Sequence, residues 1–345
     1  MRWIFQYRWH IPLVYLSLLN MNCVFAQMNP KKLGFDHLTI KDKVLGDVHY
    51  YHFTKGEDST KPLLLYLDGS GAYPLFQMME KGTGSTIPFD YRSLADKYHL
   101  LFISKPGVPF ADSVGKDPET NYPLYQTPEE YTRRLSLGWR VQSADLVLKD
   151  ALKKWKVNKS KIAVLGFSEG FQVGSKLISI NPYITHAILF VGNGFTQFFD
   201  FIIQNRLDAQ LGKISVAESQ KNIDSLYAIY KAIQSDPNST KKFWYGHSYL
   251  RWSSFCAEEP INHLLGTKIP VYFVSCNNDQ NTSALGLDYI YLKAVLAGKK
   301  NLEYRTYPYD HGFNEIISDE HGKTISVKNH MDDAMKEAIF WLNNK

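Results

Sequence analysis

Cysteine is scarce: Cys23, Cys256 and Cys276 are the only three in 345 residues. So few exclude a disulfide-stapled scaffold, and their spacing matches no zinc-site pattern. Cys256 and Cys276 are expected as buried free thiols. A strong charge of one sign is also missing. The formal net charge is +5, with no basic cluster and no helical arginine stripe, so nothing points to nucleic acid as a partner. Beyond the N-terminal segment there is no long apolar run, so no stable membrane span is expected there. Repeats and low-complexity tracts are absent, and 44% hydrophobic against 21% charged residues leaves no signature of disorder.

The N-terminal segment is the exception. "MRWIFQYRWHIPLVYLSLLNMNCVFAQ" has Arg2 and Arg8 at its start, an apolar centre, and Val24-Phe25-Ala26 before Gln27. That layout is expected of a signal peptide spanning 1–26, and it implies a secreted or periplasmic protein. The apolar centre is short for a membrane span, and Asn20 and Asn22 match a lipidation signal poorly. Removing the segment takes away Arg2 and Arg8 and no acids, which lowers the charge from +5 to +3.

Aromatic residues are plentiful, with 22 Tyr and 20 Phe. Rings mostly fill cores, and the remainder can line a cleft. "DHLTIKD" and "VHYYHFT" alternate like an opening hairpin. "PLLLYLDGSG", "HLLFISKPG", "KIAVLGFS", "HAILFVGNG", "IPVYFVSCNND" and "LEYRTYPYDHG" are continuous apolar runs ended by turn residues. Such runs suit strands buried on both faces, as in a parallel sheet. Between them lie helical patterns. "PEEYTRRLSLGWRVQSADLVLKDALKKW" is the longest, expected as one helix with Thr127 as its cap, and "EGFQVGSKLIS", "LDYIYLKAVLAG" and "HMDDAMKEAIFWLNN" are others. The alternation predicts an α/β fold: a mostly parallel central sheet flanked by helices, in a single domain over 27–345. From about 195 to 267 the rhythm breaks into helical and aromatic text such as "AESQKNIDSLYAIYKAIQ" and "KKFWYGHSYLRWSSF". This insertion is expected to cap the carboxyl edge of the sheet, where open α/β sheets bind ligands.

Gly166-Phe167-Ser168-Glu169-Gly170 lies between a predicted strand and a predicted helix. A serine at so sharp a turn is thrust out of the backbone, and the flanking glycines remove the clashes that side chains would make. A hydroxyl is a weak nucleophile until a base takes its proton. His311, in the loop after "LEYRTYP" and before the last helix, is placed for that task. His247, His263, His321 and His330 lie in the cap, in linkers or near the last helix, and serve less well. A carboxylate must then hold the imidazole, and Asp279 in the loop after "IPVYFVSC" is favoured. Asp310 adjoins His311 in sequence, but neighbouring side chains seldom converge; Asp288 falls within a predicted helix, facing solvent. Backbone N–H groups of Ser70, in "DGSG" after the first buried strand, and of Glu169 would form an oxyanion hole.

From about Lys61 onward the chain resembles the α/β-hydrolase superfamily, with "GFSEG" similar to its nucleophile elbow, "SCNND" to its acid loop and "DHGF" to its histidine loop. The order serine, acid, histidine is that of the superfamily. Two positions depart from its pattern. Asp68 stands where many members have histidine before the oxyanion glycine, and Ser104-Lys105 stands where an aspartate is usual. The resemblance implies a secreted serine hydrolase that cleaves a carboxylic ester, or a related acyl bond, through an acyl-enzyme. It needs no metal or organic cofactor, and its substrate is a small-molecule or peptide acyl compound. "SEG" and the export signal also resemble prolyl-oligopeptidase-type serine peptidases, with Glu258 and Glu259 as candidates for holding a substrate amine. A non-catalytic binding protein on the same fold is the third alternative. Nothing in the sequence sets an oligomeric state.

Overall fold

The computed structural model describes residues 28–56, 59–80, 82–118, 123–319 and 324–345. The signal segment and His321 lie outside them. Eight strands form the central sheet: β1 (Asp36–Asp42), β2 (Gly46–Phe53), β3 (Lys61–Leu67), β4 (His99–Ile103), β5 (Val157–Phe167), β6 (His186–Phe190), β7 (Val271–Cys276) and β8 (Leu302–Tyr307). Their spatial order is β1-β2-β4-β3-β5-β6-β7-β8. The first hairpin and the β2–β4 pair are antiparallel, and every other pair is parallel. All eight correspond to runs expected as strands.

The apolar runs are continuous because the sheet is covered on both faces. Leu63, Leu65 and Leu67 of β3 face one core while Leu64 and Tyr66 face the other, and Val271 and Phe273 alternate in the same way with Tyr272 and Val274. Successive residues of a strand point to opposite faces, so apolar pockets on both sides require an unbroken run. Among the described residues six helices of twelve residues or more flank the sheet or belong to the insertion described below. Among the flanking ones, α2 (Leu137–Lys154) and α3 (Glu169–Ile180) cover the first face, together with α8 (Ala284–Leu296). The last helix, α9 (Met331–Asn343), covers the second with Met331, Ala334, Met335, Ala338 and Leu342. Those residues recur at helical spacing along one stripe.

The longest helical pattern is not one helix. It divides into α1 (Glu129–Arg134) and α2, with Leu135 and Ser136 in extended backbone between them. The Ser136 hydroxyl accepts from Trp139 N at 3.0 Å and caps α2, whereas Pro128, not Thr127, precedes α1. Leu135 is fully buried and Trp139 Nε1 donates to Leu45 O, so burial of these residues outweighs helical continuity at this point. A second difference is an exposed hairpin, Asn314–Ser318 with Thr324–Asn329, which separates the His311 loop from α9.

Between β6 and β7 runs the expected helical insertion: α4 (Gln197–Gln210), α5 (Val216–Ser235), a short hairpin at Phe243–Trp244 and His247–Ser248, α6 (Tyr249–Phe255) and α7 (Pro260–Gly266). It has an aromatic core of its own, in which Phe198, Tyr249 and Trp252 are buried with Ile233 and Cys256. Cys256 and Cys276 are both free and buried. Among the described residues no helix is long and apolar enough to cross a membrane.

Candidate active site

Parallel strands place their carboxyl ends at one edge, so the loops after β3, β5, β6, β7 and β8 meet there. Cys276 pairs with Tyr307 at the ends of β7 and β8. Asn277 N then donates to Tyr307 O and Asn278 N to Tyr309 O, which ties the acid loop to the histidine loop.

Ser168 follows β5 and precedes α3, with φ 56° and ψ −116°. Few residues other than glycine adopt such a backbone, and a strained conformation persists only where its surroundings enforce it. Ser168 N donates to Phe190 O at 3.0 Å. A Cβ on Gly170 would collide with the carbonyl oxygen of Leu67, and one on Gly166 with that of Gly170. Both glycines are therefore required for the elbow to fit under β3.

The Ser168 hydroxyl lies 3.0 Å from His311 Nε2, and His311 Nδ1 lies 2.7 Å from Asp279 Oδ2. The structure thus brings together the three side chains expected to meet. Asp279 is buried, and its Oδ1 accepts from Asn281 N at 2.8 Å and Thr282 N at 2.9 Å. The Thr282 hydroxyl lies 2.6 Å from Asp279 Oδ2 and 2.9 Å from Val191 O. It was not foreseen, because no sequence pattern singles out a threonine three residues beyond the acid. Asp310, the rival acid, spends its carboxylate on the turn, accepting from Gly312 N and Asn314 N. Asp288 is exposed on α8. His330 binds Glu315, His263 binds Glu258, and His247 is half-buried beside Tyr131.

Ser70 and Glu169 border the same cleft as Ser168 and His311. Neither backbone N–H has an acceptor among the described residues. The loop passes close to the elbow: a Cβ on Gly69 would lie 3.4 Å from that of Ser168. The cleft, of about 480 Å³, is bordered on its other side by the insertion, through Gln197, Asp200 and Phe201 of α4 and Arg251 and Trp252 of α6. Glu258 pairs with Lys176 and does not border the cleft, and Glu259 precedes α7 without capping it through its side chain.

Beneath the elbow and the 69–71 loop lies a chain of buried charges, absent from the sequence expectations. Lys105 Nζ is 2.7 Å from Asp68 Oδ2, Arg140 Nη2 is 2.8 Å from Asp68 Oδ1, and Arg140 Nη1 is 2.8 Å from Glu169 Oε1. Arg251 Nη2 reaches the other oxygen of Glu169. Burial alone would raise the Glu169 pKa, but Arg251, Arg140 and Lys105 outweigh it and bring the carboxyl down to about 2. Lys105 also donates to Gly69 O at 2.5 Å and Gly71 O at 2.7 Å, so the same network fixes the loop that presents Ser70. Among the described residues no group of three or more His, Cys, Asp or Glu is placed to hold a metal ion.

No family model matches the chain, and no curated protein is similar to it in sequence. Among solved structures it is similar to a Mycobacterium tuberculosis puromycin-hydrolyzing peptidase, at 16% identity and a TM-score of 0.48, over 81% of this chain and 36% of that one. It is also similar to the Pyrococcus horikoshii acylaminoacyl peptidase, at 12% identity and a TM-score of 0.49, over 82% and 38% of the two chains. A Pyrococcus furiosus esterase gives 12% identity and a TM-score of 0.48, over 86% of this chain and 91% of that one. The chain therefore spans less than two fifths of the length of either peptidase.

Proposed function

We propose that the protein is a serine hydrolase that cleaves a carboxylic ester through an acyl-enzyme. The observation that carries this is the unbroken series Ser168 Oγ, His311 Nε2, His311 Nδ1, Asp279 Oδ2, with both links within 3.0 Å, at the mouth of a cleft. Ser168 Oγ attacks the acyl carbon as its proton passes to His311 Nε2. Asp279 accepts from Nδ1–H, fixing the tautomer and stabilising the imidazolium. The N–H groups of Ser70 and Glu169 receive the charge that develops on the carbonyl oxygen, aided by the amino-terminal end of α3. The tetrahedral adduct collapses, the leaving alcohol takes the proton from Nε2, and water attacks the acyl-enzyme by the same route in reverse.

A serine held at a costly φ supports catalysis over a binding protein, since an ordinary turn residue would be cheaper there. Ester chemistry is preferred over an aminopeptidase because Glu258 is engaged with Lys176 and His263, away from the cleft. Following the signal segment in the sequence, the mature protein is proposed to be exported and to begin at Gln27.

The test is labelling with a fluorophosphonate probe, followed by turnover of a 4-nitrophenyl acyl ester and an aminoacyl anilide. Labelling that is lost in Ser168→Ala, with the ester cleaved faster than the anilide, is the expected result. Unlabelled protein with no ester turnover would sink the proposal. Faster cleavage of the anilide would replace the esterase with a peptidase.

A further inference from the structure

The buried charges under the site do not balance. Three cations, Lys105, Arg140 and Arg251, share two carboxylates, Asp68 and Glu169. The first two cations are well bonded. Lys105 donates to Asp68, Gly69 O and Gly71 O; Arg140 donates to Asp68 and Glu169 and again to Asp68 O. Arg251 is not. Its Nη2 serves both Glu169 and Gln197, while Nε and Nη1 are buried with no acceptor among the described residues.

Arg251 is 1% exposed, and it alone of the three cations borders the catalytic cleft. Its guanidinium carbon sits 4.4 Å from the Trp252 ring centre and 4.5 Å from that of Phe255. These rings hold the side chain in place but supply no counter-charge. A guanidinium stays charged, and a buried charged donor left unmatched is costly. The other carboxyl at the cleft gives no relief. Burial pushes the pKa of Asp200 well above the usual carboxylate range, and its Oδ1 is occupied by Asn193 Nδ2. Asp279 is committed to His311, Thr282 and two backbone amides.

From this we infer that Arg251 recognises a carboxylate on the substrate, so that the preferred substrates are esters bearing a second, free carboxyl group. As a substrate preference, this presupposes the hydrolase activity proposed above. Arg251 pairs with Glu169, the residue next to the nucleophile, so an anion held there would lie in the same cleft as the scissile bond. The carboxylate would supply the missing counter-charge and accept from the unmatched donors, through charge-assisted hydrogen bonds in a desolvated setting. Carboxamides of Gln197, Gln204, Asn205 and Asn281 border the same cleft and suit a polar substrate.

Two pairs of esters test this on the intact chain, one for each side of the scissile bond. On the acyl side, 4-nitrophenyl hydrogen adipate is compared with its methyl-capped form. On the leaving-group side, the acetate of 4-hydroxybenzoic acid is compared with that of its methyl ester. The carboxylate member of at least one pair should be favoured about tenfold or more in kcat/KM. In Arg251→Gln that ratio should fall to about unity or below, whatever rate remains. Free adipate, but not adipamide, should compete with hydrolysis of the neutral ester. The competition and the wild-type ratios decide the matter even if the variant does not fold. Ratios at or below unity in both pairs, with adipate no better a competitor than adipamide, would overturn the inference while leaving the hydrolase intact. So would a preference that survives in Arg251→Gln. If Ser168 takes no label and no ester is cleaved, the activity itself fails. Calorimetric titration with adipate and adipamide then judges the anion site alone: heat with adipate that Arg251→Gln abolishes upholds it, and equal responses to the two reject it.

Discussion

Lys105 Nζ lies 2.7 Å from Asp68 Oδ2, and neither side chain is more than 9% exposed. These are the two places where the sequence departs from the superfamily pattern, and the departures are each other's partners. Asp68 ends the first buried strand's extension, and Lys105 follows β4, the strand hydrogen-bonded beside it. A carboxylate in this position needs a cation, and the cation in turn reaches the carbonyls of Gly69 and Gly71, on either side of Ser70. Loop geometry is thus set by an ion pair.

Lys105→Met should therefore act on stability and on chemistry together. Asp68 keeps Arg140 but loses one charged partner, which should cost about 1.5–3 kcal/mol, read from the urea midpoint. Released loop carbonyls should lower kcat more than they raise KM, since Ser70 N–H is proposed to act in the transition state. The double variant Asp68→Asn with Lys105→Met should lose less stability than the two single losses added together. Strict additivity would show that the pair is not a unit.

Asp279→Asn should fold normally and lose about 10⁴ in kcat, because an amide cannot hold the same imidazole tautomer. Thr282→Val removes the nearest side-chain donor to that carboxylate, 2.6 Å away, and leaves the two backbone donors. One hydrogen bond to a charged group is worth about 1.5–3 kcal/mol, which sets an upper range for the loss. A drop in kcat of roughly tenfold is expected, a cost of ~1.4 kcal/mol, with KM unchanged. A rise in KM larger than the fall in kcat would place Thr282 on the substrate instead.

The eight strands and the three loop residues were legible because each is local. An apolar run names a buried strand, and a loop residue just beyond a parallel strand is delivered to one known edge. The charge chain was not legible, because Asp68, Lys105, Arg140, Glu169 and Arg251 come from five separate places in the chain. Arg140 looks in sequence like any charged residue of a long helix. Only the break at Ser136, with Trp139 and Leu135 drawn inward, turns it toward Asp68. Arg251 was hidden in the insertion for the same reason: an ion pair formed across 82 residues leaves no periodic trace.

Acid should unfold the protein in two stages. The Glu169 carboxyl titrates near 4.5 when free and at about 2 in the fold. Its stabilising contribution is therefore complete above pH ~4.5 and is lost as pH falls toward 2. Histidines act earlier. Burial lowers the pKa of His247 to about 3, with Arg251 adding to the effect, and lowers that of His52 to about 4. Both bind a proton more readily in the unfolded chain, so stability begins to fall below pH 6.5. Each should cost about 2 kcal/mol by pH 5. Urea midpoints between about pH 7.5 and 5 should decline, and His247→Asn should reduce that decline. A midpoint flat over this range would mean the two rings are not held neutral.

Ser168 offers the sharpest conflict between stability and chemistry. At φ 56° and ψ −116° it occupies backbone that costs a residue with a Cβ about 1–3 kcal/mol and costs glycine little. Ser168→Gly should abolish turnover yet melt higher than Ser168→Ala, by roughly 1–2 °C for each kcal/mol recovered in a chain of this size. Glycine also gives the unfolded chain more freedom, which trims the gain by ~1 kcal/mol. Comparing the two variants removes the hydroxyl from both, so the hydrogen bond to His311 cancels. A glycine variant less stable than the alanine variant by the full ~1 kcal/mol would mean that the elbow backbone carries no strain.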